Sequence, residues 1–391
     1  MCARMRFARA SYLSRLATSP RPAAGQTFDT VLPIREKPMM RGHNNGTTRG
    51  DGLTARPDYG ALVISLDFEL HWGVRDHHSA DGAYRENLLG ARGAIPRMLD
   101  AFERYDIAAT WATVGFLFAE SRRERERFSP SVRPEYANPA LSPYHEVTGD
   151  TEADDPLHYA PSLIDAIARR PRQEIGAHTF SHYYCLEPGQ TREAFQADLR
   201  SAGAIARARG FNLRSLIFPR NQVNPAYTPV LRDCGIICYR GNEQGWMYRA
   251  SAADGERGRL IMNARRADRY LNLSGGTLTA WDDITRDDGL CNIPASRFLN
   301  PYNPRLRHLD PLRLRRIIRD LRAAAVRKRV YHLWWHPHNF GTYTDENMAF
   351  LERILEEFAR LKESHGMRSL NMEDVSTAYS SSGMRDSPSD R

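Results

Sequence analysis

Ala61-Leu-Val-Ile-Ser-Leu-Asp-Phe-Glu69 is an apolar run that ends in two carboxylates. The run over 61–67 reads as a strand, because a continuous apolar stretch of this length suits a strand covered on both faces. The same design recurs downstream. Glu174-Ile-Gly-Ala177 leads into His178 and His182, Ser215–Phe218 leads into Pro219-Arg-Asn221, and Val330–Trp335 leads into His336-Pro-His-Asn339. A further strand is expected at 107–116 and another at 236–239. Between these lie helical patterns at 91–105, 161–169, 192–209, 226–233, 312–327 and 346–363, the last with Phe350, Leu351, Ile354, Leu355, Phe358 and Leu361 at helical spacing. Strands alternating with helices predict an α/β fold, a parallel sheet or barrel with helices outside. In such folds the carboxyl ends of the strands open onto one mouth, so ionisable residues more than a hundred positions apart converge.

Taken singly, each of these residues has an ordinary explanation. An Asp after a strand caps a helix or turn, a His pair can be structural, and Arg220 can pair with a surface acid. Agreement among four strand ends changes the balance. His178 and His182, four apart, would share one side of a helical turn and could grip one metal ion. Asp67 and Glu69, two apart on an extended strand, would face the same cavity.

Bulk properties fit one large catalytic domain. The 391 residues are 41% hydrophobic and 26% charged, with six Trp and fifteen Phe, enough for a packed core. The net charge of +8 is spread through runs such as Arg313-Leu-Arg-Arg316. Without an aromatic-interleaved basic motif, a solvated basic face is expected and nucleic acid is not. Five cysteines without a CxxC pair fit neither a disulfide scaffold nor a thiolate zinc site. No window has the apolar length of a membrane span, and the first residues lack the apolar core of a secretory signal, so a cytoplasmic location is expected. Residues 1–58, rich in Arg, Pro and Gly, are expected to form a loosely ordered extension. Its arginine-rich, acid-free stretch 1–28 bears a superficial likeness to a transit peptide, and Met39 or Met40 are alternative starts. The catalytic barrel is expected over 59–378, with a disordered tail at 379–391. Two loop-like segments, about 119–160 and 242–310, are expected to wall the substrate site.

The spaced motifs resemble those of the polysaccharide deacetylase family, whose NodB-homology domain is a deformed (β/α) barrel. Ser65-Leu-Asp67 with Phe68-Glu69 loosely matches its first motif, and Ala109-Thr-Trp-Ala112 with Gly115 matches its second strand. His178 and His182, with Ser181 before the second, match His-x-x-x-His. Phe218-Pro-Arg-Asn221 is a rearranged Arg-Pro motif, and Leu333-Trp-Trp-His336 matches the final strand. The resemblance covers roughly residues 60–375. It implies a metal-dependent hydrolase of an acetylated amino sugar or related amide, with one divalent cation, zinc being the first expectation.

The chain departs from the family where no second Asp follows Asp67. The metal carboxylate is therefore Glu69, as in variants with an acid-x-acid first motif, or Asp67 itself. On the variant reading Glu69, His178 and His182 hold the cation and Asp67 is the catalytic base. Arg220 then holds Asp67, and His336 protonates the leaving amine. Asn221, His338 and Asn339 are expected substrate contacts, as are Trp111 and Trp335, which with Trp334 could form a flat aromatic slot. The implied substrate is an N-acetylated sugar or sugar conjugate in polysaccharide or glycolipid assembly. Alternatives are hydrolysis of a non-sugar linear or cyclic amide such as a ureide or imide, or a catalytically silent carbohydrate-binding barrel.

Overall fold

The computed structural model describes residues 56–243, 277–284, 286–287 and 289–381. Of the extension expected over 1–58, only 56–58 fall among them, so the arginine-rich stretch 1–28 lies outside the described residues. Of the tail expected over 379–391, only 379–381 fall among them, as the end of the last helix.

Strand β1 (Ala61–Phe68) is buried along its whole length, as its apolar run requires. It pairs in parallel with β2 (Ala109–Thr113) along one edge and β9 (Val330–Trp335) along the other. The sheet order is β6-β7-β5-β4-β3-β2-β1-β9-β8, with β3 at Gln173–Ala177, β4 at Ser215–Leu216 and β5 at Cys238–Gly241. The remaining members are β6 (Arg286–Asp287), β7 (Leu290–Pro294) and β8 (Arg297–Phe298), while β10 (Arg368–Leu370) pairs with the start of β1. All pairings are parallel except β6 with β7.

The ring closes through one extended segment. β7 pairs with β5, and the Ala295 N–H still donates to Gly241 O at 2.9 Å. One residue later the Ser296 N–H donates to His332 O at 2.8 Å, and β8 lies beside β9. The segment 290–298 thus carries the sheet from β5 across to β9. The fold is the deformed (β/α) barrel that the alternation predicts.

Helices cover the outside. α1 (Arg85–Arg104) buries Leu88, Ala91, Ile95, Met98, Leu99 and Phe102 on one stripe. α2 (Arg122–Phe128) and α3 (Pro161–Ala168) follow, and α4 (Arg192–Ala208) is capped by the Thr191 side chain, which accepts from the Ala194 N–H. α5 (Thr228–Asp233), α6 (Asp310–Arg327), α7 (Thr344–His365) and α8 (Met372–Ser381) complete the set. α7 stops where Gly366 takes φ 64°. Among the described residues no helix is long and apolar enough to cross a membrane.

Three expectations change. The segment 242–310, expected as loop, contains the closing strands β7 and β8; each is short and the first ends in Pro294, so no periodicity marks them. The strand expected at 236–239 lies two residues later, at 238–241, which brings Arg240 into it. The segment 119–160 holds α2 and brief 3-10 turns rather than loop alone.

Candidate metal and catalytic site

Residues from the carboxyl ends of β1, β3, β4, β5 and β9 meet at one mouth. Asp67 lies within β1, and Glu69 lies just beyond it at the entry to a 3-10 turn, Leu70–Gly73. Gly73 leaves the room that Glu69 occupies: a Cβ there would stand 1.9 Å from the Glu69 carboxyl carbon. Both carboxylates are buried, at 3% and 4% exposure.

His178 and His182 follow β3, but not on a helix. Thr179 and His182 take φ 60° and 57°, and these two left-handed residues turn the loop so that both rings face Glu69. The loop is held from below. Asp198 of α4 accepts from the Phe180 N–H at 2.7 Å, from the Ser181 N–H at 3.2 Å and from the Ser181 hydroxyl. It is held from the side by Gly115, whose N–H donates to Thr179 O at 2.9 Å. A side chain at Gly115 would meet the Phe180 backbone at 2.7 Å.

The three donors fit a metal. Glu69 Oε2 stands 3.2 Å from Nε2 of each histidine. A tetrahedral ion with bonds of about 2.0–2.1 Å sets its ligand atoms roughly 3.3 Å apart. The opposite nitrogen of His178 lies 2.9 Å from Ile217 O. Because a carbonyl only accepts, Nδ1 carries the hydrogen and the Nε2 lone pair points at a carboxylate. A lone pair facing an anion is an arrangement that a cation between them satisfies. Burial works against charge on Glu69, yet the charge of the neighbouring His336 and the polar contacts with the two histidine rings hold its carboxyl well below the ordinary value. Burial also pulls His182 below the ordinary histidine value, against the Glu69 carboxylate. Neutral imidazole and ionised carboxylate are the ligating forms. Glu69 also lies within reach of His336 and His338.

Asp67 is gripped by Arg240. The guanidinium donates to its two oxygens at 2.7 and 2.8 Å, to Ser65 Oγ at 3.1 Å and to Asn221 Oδ1 at 2.9 Å. It also lies 4.1 Å over the Trp334 ring. Burial raises the Asp67 carboxyl, but the Arg240 charge, with His178 and His336, outweighs it and holds it below the usual value. His332 lies behind this pair, 2.9 Å from Ser65 Oγ; burial and the Arg240 charge push it down to about 3, so it stays neutral. His336 completes the mouth, with Nε2 3.8 Å from Asp67 and 3.5 Å from Glu69 and its ring about a quarter exposed.

Residues 82–238 match the family model described as Polysaccharide deacetylase. The matched stretch is about 40% of the chain, and over it the chain is similar to that family. Among solved structures it is similar to a Mycobacterium smegmatis protein assigned by its description to the polysaccharide deacetylases, at 14% identity and a TM-score of 0.53, covering 86% of this chain and 96% of that one. It is also similar to a probable polysaccharide deacetylase from Pseudomonas aeruginosa PAO1, at 12% identity and a TM-score of 0.47, covering 82% and 90%. Puue allantoinase aligns at 13% identity and a TM-score of 0.46, covering 85% and 95%. At such identities the likeness is one of fold. No curated protein matches the chain.

The matched region holds the two histidines and Arg220 but stops at Cys238, short of Arg240. That boundary coincides with the main difference between sequence reading and structure. Arg220 does not hold Asp67. It takes φ 53°, turns to Asp76 and to His77 at 2.9 Å, and lies over the Tyr184 ring. Arg240, which the sequence reading missed, takes that place. Its one signal was position: an arginine two residues beyond Cys238 and just before Gly241, at the end of an apolar run.

The aromatic slot changes too. Trp111 is fully buried against Phe102, its Nε1–H donating to Gln173 at 3.0 Å, and Trp335 is fully buried, stacked on Phe340. On the two strands that flank β1, both in register with Leu66, they point into the helical layer, not the mouth. Trp334, one position earlier on β9, faces the mouth beside His336 and Phe298. Asn221 reaches the site as an acceptor for Arg240. His338 is buried and stacked 5.0 Å from His336, and burial with the His336 charge pushes it down to about 3. Asn339 accepts from the Tyr84 hydroxyl at 3.2 Å and places its amide 3.4 Å from His336 Nδ1. His338 and Asn339 thus stand where they orient His336.

Proposed function

We propose that this chain is a metal-dependent hydrolase that removes an N-acetyl group from an amino sugar or sugar conjugate. The observation that carries the reading is Glu69 Oε2 standing 3.2 Å from both His178 and His182, with Asp67 and His336 on the same rim. Glu69, His178 and His182 would hold the ion, of the zinc class by donor type. Bound there, a divalent cation supplies polarisation of the amide carbonyl and a lowered pKa for water.

The residues supply the proton transfers. Asp67, kept ionised by Arg240, takes a proton from the attacking water as the new C–O bond forms. His336, on the opposite side of Glu69 and open to the mouth, gives a proton to the nitrogen as the C–N bond breaks. His338 and Asn339 fix its ring. Trp334 and Phe298 provide the apolar surface on which a sugar ring can lie. The match to the polysaccharide deacetylase model supports the deacetylase class, and the net positive charge favours a substrate bearing phosphate.

The test is turnover of the purified, zinc-loaded chain on N-acetylated amino sugars and their conjugates, with cyclic ureides alongside. Acetate release from the sugars, lost in Asp67→Asn with metal content unchanged, is the expected result. His336→Ala should lower kcat on the order of 10²–10⁴-fold on the amide, and by much less on an activated ester whose leaving group needs no proton. Turnover of ureides alone, or of neither class by a chain that holds its ion, would overturn the substrate assignment.

A further inference from the structure

Beside the mouth, and sharing none of its ligands, lies a second convergence of metal-type donors: His71, Glu146 and His158, whose candidate ligand atoms all fall within 4.8 Å of one another. His71 sits on the 3-10 turn that follows Glu69, and His158 comes from the segment before α3. Their side chains are 1% and 3% exposed. Nδ1 of His71 and Nε2 of His158 stand 2.8 Å apart, and Glu146 Oε1 is 3.8 Å from the former.

The outer nitrogens decide what lies between the inner ones. His71 Nε2 is 2.9 Å from the carbonyl oxygen of His78, and His158 Nδ1 is 2.7 Å from Asp155 Oδ2. A carbonyl and a carboxylate only accept, so both outer nitrogens carry hydrogens. In its neutral form each ring then turns a lone pair inward, and two lone pairs face each other across 2.8 Å. A cation must sit there. The outer contacts are those that orient metal-bound imidazoles: a backbone carbonyl behind one ring and a carboxylate behind the other.

We propose that His71 Nδ1, His158 Nε2 and the Glu146 carboxylate hold a second divalent ion of the zinc class, distinct from the one assigned to Glu69. Two imidazoles and one carboxylate suit that class. Bonds of about 2.0–2.1 Å require the two nitrogens to part to roughly 3.3 Å, a shift of about half an ångström. Arg75, whose charge acts on His71, donates to the carbonyl oxygens of Ala140 and Leu141 and leaves Glu146 and Asp155 to balance the ion. Burial of both rings closes the ion to substrate, so its role is to pin the turn that carries Glu69 to the 143–160 segment. That segment is already tied there by Trp72 Nε1–H to His158 O at 3.0 Å and by the His71 N–H to Leu157 O at 3.3 Å.

Metal content per chain tests this directly, measured by elemental mass spectrometry on the full chain after chelation, zinc reloading and gel filtration. Two ions are expected in the wild type, one in His178→Ala/His182→Ala and one in His158→Ala. Glu146→Gln, a mild change at a side chain about a quarter exposed, should weaken the second ion by more than about tenfold. Cobalt in His178→Ala/His182→Ala should give visible absorption that His71→Ala in that background removes. One ion in the wild type, lost in His178→Ala/His182→Ala and kept in His158→Ala, would overturn the proposal, a shared proton then bridging the two rings. One ion lost only in His158→Ala would uphold this site and sink the Glu69 site instead. No ion in any form would sink both.

Discussion

Arg240 reaches across the barrel mouth from β5 and grips both oxygens of Asp67, at 2.7 and 2.8 Å, with both side chains buried. This fork pairing keeps a buried carboxylate ionised where burial alone would neutralise it. It also explains why Asn221, Ser65 and Trp334 crowd the guanidinium: a buried cation needs its remaining donors and its face occupied.

Removing Arg240 should therefore harm both stability and turnover. Arg240→Ala leaves Asp67 buried without its partner and is expected to cost about 3–5 kcal/mol of stability. Arg240→Lys keeps the charge but loses the fork, so the fold should survive while kcat falls by more than about tenfold. Arg220→Ala touches only the Asp76, His77 and Tyr184 contacts and should leave metal content unchanged and most of kcat intact. Thermal unfolding and turnover of the three variants decide the matter. A larger kcat loss in Arg220→Ala than in Arg240→Lys would return the Asp67-holding role to Arg220.

How much of this was legible follows from what each residue asks of its neighbours. Asp67, Glu69, His178, His182 and His336 sit at the ends of apolar strands, so their convergence follows from strand order alone. The local geometry did not. Spacing of four suggested a helical turn for the histidines, whereas two left-handed residues and the Asp198 acceptor shape a loop that no periodicity announces. Trp111, Trp334 and Trp335 were read together as an aromatic slot because all three lie within the matched motifs. In a strand adjacent residues face opposite ways, and the one-residue step from Trp335 to Trp334 separates core from mouth. Arg240 was hidden because its strand is short and the closing strands beyond it, ending in Pro294, read as loop.

Gly73 makes Glu69's position testable without touching a ligand. A methyl group at 73 would overlap the Glu69 carboxyl, whose other sides are occupied by His178, His182 and His336. Gly73→Ala should thus push Glu69 off the histidines, weakening zinc binding by at least about tenfold while leaving Asp67 paired with Arg240. Zinc titration against a chelator of known affinity measures it. Unchanged affinity would show that the ion does not depend on Glu69.

Glu174 on β3 predicts a pH dependence of stability. Burial pushes its carboxyl from 4.5 up to about 7, against hydrogen bonds from Ser215, Thr110 and the Glu373 N–H. The folded chain then keeps a proton up to about pH 7 that the unfolded chain releases near 4.5. Stability from this group is full below the unfolded value and is lost as pH rises through about 7. At 1.36 kcal/mol per pKa unit the loss is roughly 3 kcal/mol. Glu174→Gln stays neutral at every pH. Denaturant unfolding between pH 4.5 and 8 should show a flatter decline in Glu174→Gln than in the wild type, and equal slopes would remove Glu174 as the cause.

Asp198 shapes the metal site without reaching it. Its carboxylate gathers the Phe180 N–H, the Ser181 N–H and the Ser181 hydroxyl, three donors from the loop between the two histidines. Without that acceptor the donors are buried and unpaired, and the loop has little reason to hold Thr179 and His182 in left-handed conformations. Asp198→Ala should lower zinc affinity by about 10–100-fold, the usual cost of losing a residue that orients a ligand. Asp198→Asn keeps one acceptor oxygen and should recover part of it, because the Phe180 contact at 2.7 Å can be satisfied by an amide oxygen. A ligand-only view of the site predicts wild-type affinity in both variants, so competitive zinc titration separates the two accounts. Partial rescue by Asn would place the effect in the hydrogen bonds rather than in the negative charge.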